Sequence, residues 1–120
     1  MSMPVIDADR IRSLVHFEDL IEPLSLAMQA ASAGLAETGL VVMYPLEDRT
    51  QGDVFVKTGT VSGAPVHVVK VAPWFAGNVV RGEPQGGFVA VLDSATGRTI
   101  ALLDDQHYLS DIRTAAAGAL

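Results

Sequence analysis

Three cations stand in settings where a lysine or arginine does chemistry. Lys70 lies in VVKVAPWF, an ammonium within a run of valines that leads into Trp74 and Phe75. An ammonium drawn out of water onto an apolar strand either holds a carboxylate or, with its proton affinity lowered, moves a proton. The ordinary reading of such a lysine is a packed stem with its head in solvent. Lys57, in DVFVKTGTV, repeats the pattern one strand earlier, and adjacent strands can bring both cations to one sheet face. Arg113 and Thr114 follow Ser110 and Asp111 in LSDIRTAAAGAL, at the start of an alanine-rich helix. Free backbone N–H groups and a guanidinium can there hold a carboxylate or phosphate together. Pairing with a neighbouring acid is the ordinary alternative. The chemistry common to these positions is recognition of a small anion.

Other chemistries find no support. His16, His67 and His107 lack metal-ligand spacing and the chain has no cysteine, so no metal site, disulfide or thiol nucleophile is expected. There is no G-x-S-x-G elbow, no G-x-G-x-x-G and no phosphate-binding G-x-x-x-x-G-K-[ST]. A net charge of −6 without a Lys/Arg cluster argues against nucleic acid or an anionic membrane as partner. No stretch approaches the roughly 20 apolar residues of a membrane span, and the expectation is a cytoplasmic protein. At 120 residues the chain is one domain. Its 49% hydrophobic content and mean hydropathy of +0.33 predict apolar surface that meets a partner.

The elements that position these residues are legible from periodicity. Asp7 to Leu14 reads as a short helix capped by Asp7, with a second start near His16. Phe17, Leu20, Ile21, Leu24, Met28, Ala31 and Leu35 recur at helical spacing. Pro23 either delays that helix to about Ile21 or bends it, and Gly34 and Gly39 end it. After Gly39 come strand-like runs, LVVMYPL, DVFVKTGTVSG and APVHVVKVAPWF, then a hairpin turning at Asp93-Ser94-Ala95-Thr96-Gly97. Residues 73–87, rich in Gly and Pro, read as a binding loop. A helix capped by Ser110 or Asp111 then runs to Leu120. The fold class is α+β, an antiparallel or mixed sheet with an N-terminal amphipathic helix and a C-terminal helix.

Two segments, VVKVAPWFAGN at 68–78 and FVAVLDSATGRTIALLDDQHYLSDIRTAAAGAL at 88–120, resemble the ornithine cyclodeaminase and mu-crystallin family. DVFVKTGTVSG at 53–63 is similar to it as well, and the N-terminal helix only loosely. The resemblance implies that residues 1–120 form a substrate-binding and dimerisation domain. A Rossmann domain that binds NAD or NADP would follow it in the intact protein, and the 120 residues alone would bind no such cofactor. It implies an amino acid cyclodeaminase or a cyclic-imine reductase acting on a small amino or imino acid as a homodimer, with Lys70 contacting the substrate carboxylate and taking part in catalysis. Arg113 would hold the same carboxylate, and Lys57 would line the cavity. The family's arginine near Met43 to Leu46 is absent, and Arg49 is the nearest candidate. A non-catalytic, dimeric ligand-binding module of mu-crystallin type is the alternative.

Overall fold

The computed structural model describes residues 3–118. The expected helical continuation through Ala119 and Leu120, and the side chain of Phe17 in the N-terminal stripe, lie outside the described residues. The elements run β1 (Val5–Ile6), α1 (Ala8–Leu14), α2 (Phe17–Ser32), β2 (Ala36–Met43), a 3-10 turn (Arg49–Gln51), β3 (Gly52–Val61), β4 (Val66–Phe75), α3 (Ala76–Arg81), β5 (Phe88–Asp93), β6 (Thr99–Leu103) and α4 (Tyr108–Gly118). One six-stranded sheet in the order β1-β6-β5-β4-β3-β2 holds them together. The neighbours from β2 to β6 are antiparallel and β1 joins β6 in parallel, so the sheet is mixed and the class is α+β.

Local chemistry explains most boundaries. Asp7 caps α1, its carboxylate accepting from the Arg10 N–H at 2.9 Å. Gly34, at φ 77, takes the left-handed conformation that ends α2, a position where an L side chain is strained. Gly97, at φ 73, does the same in the β5–β6 turn, while Asp93 accepts from the Ala95 N–H at 2.8 Å. One strand boundary differs from expectation. Strand β2 begins at Ala36 and passes through Gly39, because pairing Gly39 with Thr58 outweighs the poor strand propensity of glycine. Of the two alternatives at Pro23, the delayed start is not the one found: α2 begins at Phe17 with Pro23 inside it. Its stripe is half-buried at Leu20, Ile21 and Leu24 and lies exposed at Met28, Ala31 and Leu35.

The expected loop over 73–87 is the largest correction. Strand β4 extends to Phe75, and α3 follows at once, closed by Gly82 at φ 67. Pro73 is tolerated in this strand because β5 pairs with β4 only as far as Val71, so no partner there needs its missing N–H. The Gln85 side chain ties the returning segment to the end of the strand. Its Oε1 accepts from the Phe75 N–H at 2.9 Å, and its Nε2 donates to the Phe75 carbonyl at 3.1 Å.

The core is thin and made of small residues, with Ala8, Ile11, Ala72, Val89, Ala101 and Ala116 its buried apolar members. Ala116 is fully enclosed where α4 packs on α2. The start of α4 is fixed at two points: Asp105, 3% exposed, accepts from the Leu109 N–H at 2.9 Å, and the Tyr108 hydroxyl donates to the Val15 carbonyl at 2.7 Å. Asp105 therefore supplies the capping side-chain oxygen expected of Ser110 or Asp111, which lie inside the helix. Among the described residues no helix is long and apolar enough to cross a membrane.

Candidate functional site

The register of β3 and β4 decides where the lysines go. Lys57 is paired directly with Lys70, Phe55 with Ala72, and Asp53 with Trp74. Side chains two apart on a strand share a face, so these six project from one side of the sheet. Helix α4 lies over that side and presents Ser110, Asp111, Arg113 and Thr114, with His107 just before it. Sheet and helix border an open cavity of about 340 Å³ lined by all eleven. Lys70 and Arg113, far apart in sequence, thus face one space, with Lys57 and Thr114 beside them.

Electrostatics mark Lys70. Burial, first, and then the like charges of Lys57 and Arg113 pull its pKa below the ordinary lysine value, while Asp105 acts in the opposite sense. Among the described residues neither lysine nor Arg113 takes part in an ion pair; those present join Arg12 to Asp9, Arg81 to Glu83 and His107 to Asp111. Cations set opposite each other on neighbouring strands destabilise a sheet. Three cations on one cavity, none of them in an ion pair among the described residues, can chemically receive an anion.

Helix α4 positions the opposite wall. Arg113 is in its second turn, and its Nη2 reaches the Thr114 Oγ1 at 3.4 Å, while the Thr114 hydroxyl donates to the Ser110 carbonyl at 2.8 Å. Asp105 already takes one first-turn N–H, and what α4 offers the cavity is side chains. His107 and Asp111 were not among the expected site residues. Gln106 and His107 have φ of 51° and 71°, a conformation that costs about 1–3 kcal/mol for a non-glycine residue. That backbone brings the His107 imidazole to the cavity, where its Nδ1 donates to Asp111 Oδ1 at 2.9 Å. Histidine–aspartate at a four-residue spacing was the one signal available. Arg49 lies outside the cavity lining, with its guanidinium 3.9 Å from the centre of the Tyr44 ring.

Among the described residues no cluster of three or more His, Asp or Glu could hold a metal. Nor do they offer a cradle for a dinucleotide. The six-residue α3, which follows β4 directly, opens with Ala-Gly-Asn and has none of the spaced glycines that let a backbone approach a pyrophosphate.

No protein-family model matches the chain. It is 43% identical over 125 residues to an uncharacterized cyclodeaminase of Sinorhizobium fredii, covering 99% of this chain and 37% of that protein. The chain thus spans little more than a third of that curated relative. Its fold is that of the Thermococcus litoralis Δ1-pyrroline-2-carboxylate reductase solved with NADH and L-proline, with a TM-score of 0.85 at 19% identity over 97% of this chain and 36% of that one. An archaeal alanine dehydrogenase dimer with bound NAD superposes with a TM-score of 0.84 at 21% identity, over 98% of this chain and 35% of that one. These two likenesses are likenesses of fold.

Proposed function

We propose that this chain, which belongs to the ornithine cyclodeaminase and mu-crystallin family, is the part of an NAD(P)-dependent enzyme that holds the carboxylate of a small amino or imino acid. The observation that carries the reading is the convergence of Lys70 and Arg113 on one cavity without acid partners among the described residues. The planar guanidinium takes the two carboxylate oxygens side by side, and the Lys70 ammonium holds the same group from the sheet. Its lowered pKa also suits Lys70 to exchange a proton with the substrate nitrogen. In this reading residues 1–120 are the substrate-binding and dimerisation domain. NAD or NADP, which the described residues do not fit, is bound by a nucleotide-binding domain elsewhere in the whole protein and supplies the hydride chemistry.

The reaction we infer is amino acid cyclodeamination or reduction of a cyclic imine acid, in the cytoplasm. The intact protein should oxidise NADH or NADPH when given a carboxylated cyclic imine, or release ammonia from an amino acid in the presence of the oxidised cofactor. Binding of the carboxylate without turnover in either direction would favour the non-catalytic module of mu-crystallin type. The name of the Sinorhizobium fredii relative, a cyclodeaminase, speaks for the enzyme.

We also propose a homodimer. Strand β2 is an outer edge of the sheet, with Leu40 56% and Val41 60% exposed, and an unpaired edge carrying apolar side chains calls for cover. Sedimentation at low micromolar concentration should give twice the chain mass, and a monomer without concentration dependence would refute this.

A further inference from the structure

The cavity floor is a ladder of three cross-strand pairs, Lys57 with Lys70, Phe55 with Ala72 and Asp53 with Trp74. Each rung is two residues from the next, so the floor passes from cationic through apolar to acidic over about 13 Å. At the cationic end stand three positive charges, because Arg113 joins the two lysines from α4.

The acids that face this end are otherwise placed. Asp53 is two rungs away, and Asp111 is engaged by His107 at 2.9 Å. Asp105 is buried with one oxygen on the Leu109 N–H. The Lys57 ammonium stands 6.0 Å from the centre of the Phe55 ring, which places it along the floor toward the apolar rung. One carboxylate shared by Lys70 and Arg113 leaves Lys57 without a counter-charge.

We propose that the substrate is an amino or imino dicarboxylate whose second carboxylate is held by Lys57, an inference that rests on the carboxylate-binding reading of Lys70 and Arg113. Side chains directly opposite across two antiparallel strands leave the backbone about 4.5–5.5 Å apart. From roots that close, the two flexible stems can reach two carboxylates separated by a few carbons, as in a four- or five-carbon diacid. The Phe55 and Ala72 rung then meets the short carbon chain between them.

Calorimetry on the intact protein with two isosteric pairs of open-chain acids, used as probes of binding and not of ring closure, tests this: L-aspartate against L-asparagine and L-glutamate against L-glutamine. In at least one pair the diacid should bind tighter than its amide on the order of tenfold to a hundredfold, the gain of one charge-assisted contact. Lys57→Met should bring that ratio to about one, and Lys57→Arg, which restores the charge, should recover most of it. Equal affinity for acid and amide in both pairs overturns the inference, as does a ratio that survives in Lys57→Met or the binding of none of the four. If Lys70→Met also leaves the affinities unaltered, the carboxylate reading itself falls; if Lys70→Met abolishes binding while the acid and amide remain equal, only the dicarboxylate does.

Discussion

Replacing Lys70 by methionine in the intact protein is expected to lower kcat/KM about 10²–10⁴-fold, the range spanned by a positioned proton-transfer group. The same change at Lys57 should cost less, because Lys57 is assigned a part in binding alone. The reason lies in the neighbourhood. Both lysines face one cavity from opposite positions on β3 and β4, and at Lys70 burial first, then the charges of Lys57 and Arg113, lower the pKa. A lowered pKa brings an amine nearer to the point where it can accept a proton as well as give one. It also sets the direction of the pH dependence. The Lys70 ammonium loses its proton at a lower pH than an ordinary lysine, so carboxylate binding should weaken on the alkaline side before the normal lysine range is reached.

Stability moves the other way. Between the lowered folded value and the ordinary unfolded one, the unfolded chain holds more protons than the native state. The contribution of this group to stability therefore rises with pH across that window. Lys70→Met removes a partly buried cation set against two others, so thermal melting should show no loss of stability. Steady-state kinetics with melting curves on both methionine variants checks this, and equal losses at the two lysines would remove the special role of Lys70.

Arg113→Lys should raise KM by roughly tenfold or more and change kcat much less. A lysine keeps the charge but replaces a planar fork, which grips both carboxylate oxygens, with a point donor on a flexible stem. Losing one charge-assisted hydrogen bond costs about 1.5–3 kcal/mol, and every 1.4 kcal/mol is about a factor of ten. The weak contact from the guanidinium to Thr114, 3.4 Å long, would also be lost, and it helps aim the fork along the helix face. Kinetics across substrate concentration separates the outcomes. A fall in kcat with KM unmoved would assign Arg113 to the chemical step instead.

Much of this was written in local sequence. The alternation of DVFVKTGTV and VHVVKV put each lysine on a definite face, and the observed pairing of Lys57 with Lys70 made it the same face. Asp7 before ADRIRSL and Gly97 in the hairpin did what their side-chain chemistry favours. What stayed hidden depends on pairing at a distance. Whether Gly39 ends a helix or lies in a strand is decided by Thr58 across the sheet, and only the pairing makes it strand. Helix α3 was concealed because AGNVVR has glycine, asparagine and two β-branched residues in six, and what fixes it is Gln85, bonded to the Phe75 backbone from beyond the helix. The cap of α4 came from Asp105, further back than the rule for a first-turn oxygen would look, because two left-handed residues intervene. Those residues bring His107 and Asp111 to the cavity wall, and no local propensity announces them.

The central claim is that Lys70 and Arg113 hold one and the same carboxylate, and a double-mutant cycle on ligand binding tests it most directly. The affinity of the intact protein for a small amino acid carboxylate would be measured for wild type, Lys70→Met, Arg113→Lys and the double variant. Groups sharing one ligand atom set should be coupled by about 0.5–3 kcal/mol. The double variant would then lose clearly less than the two single losses added together. Strict additivity, with both single variants weakened, would mean that the two cations act on separate groups and would contradict the site proposed for this fold.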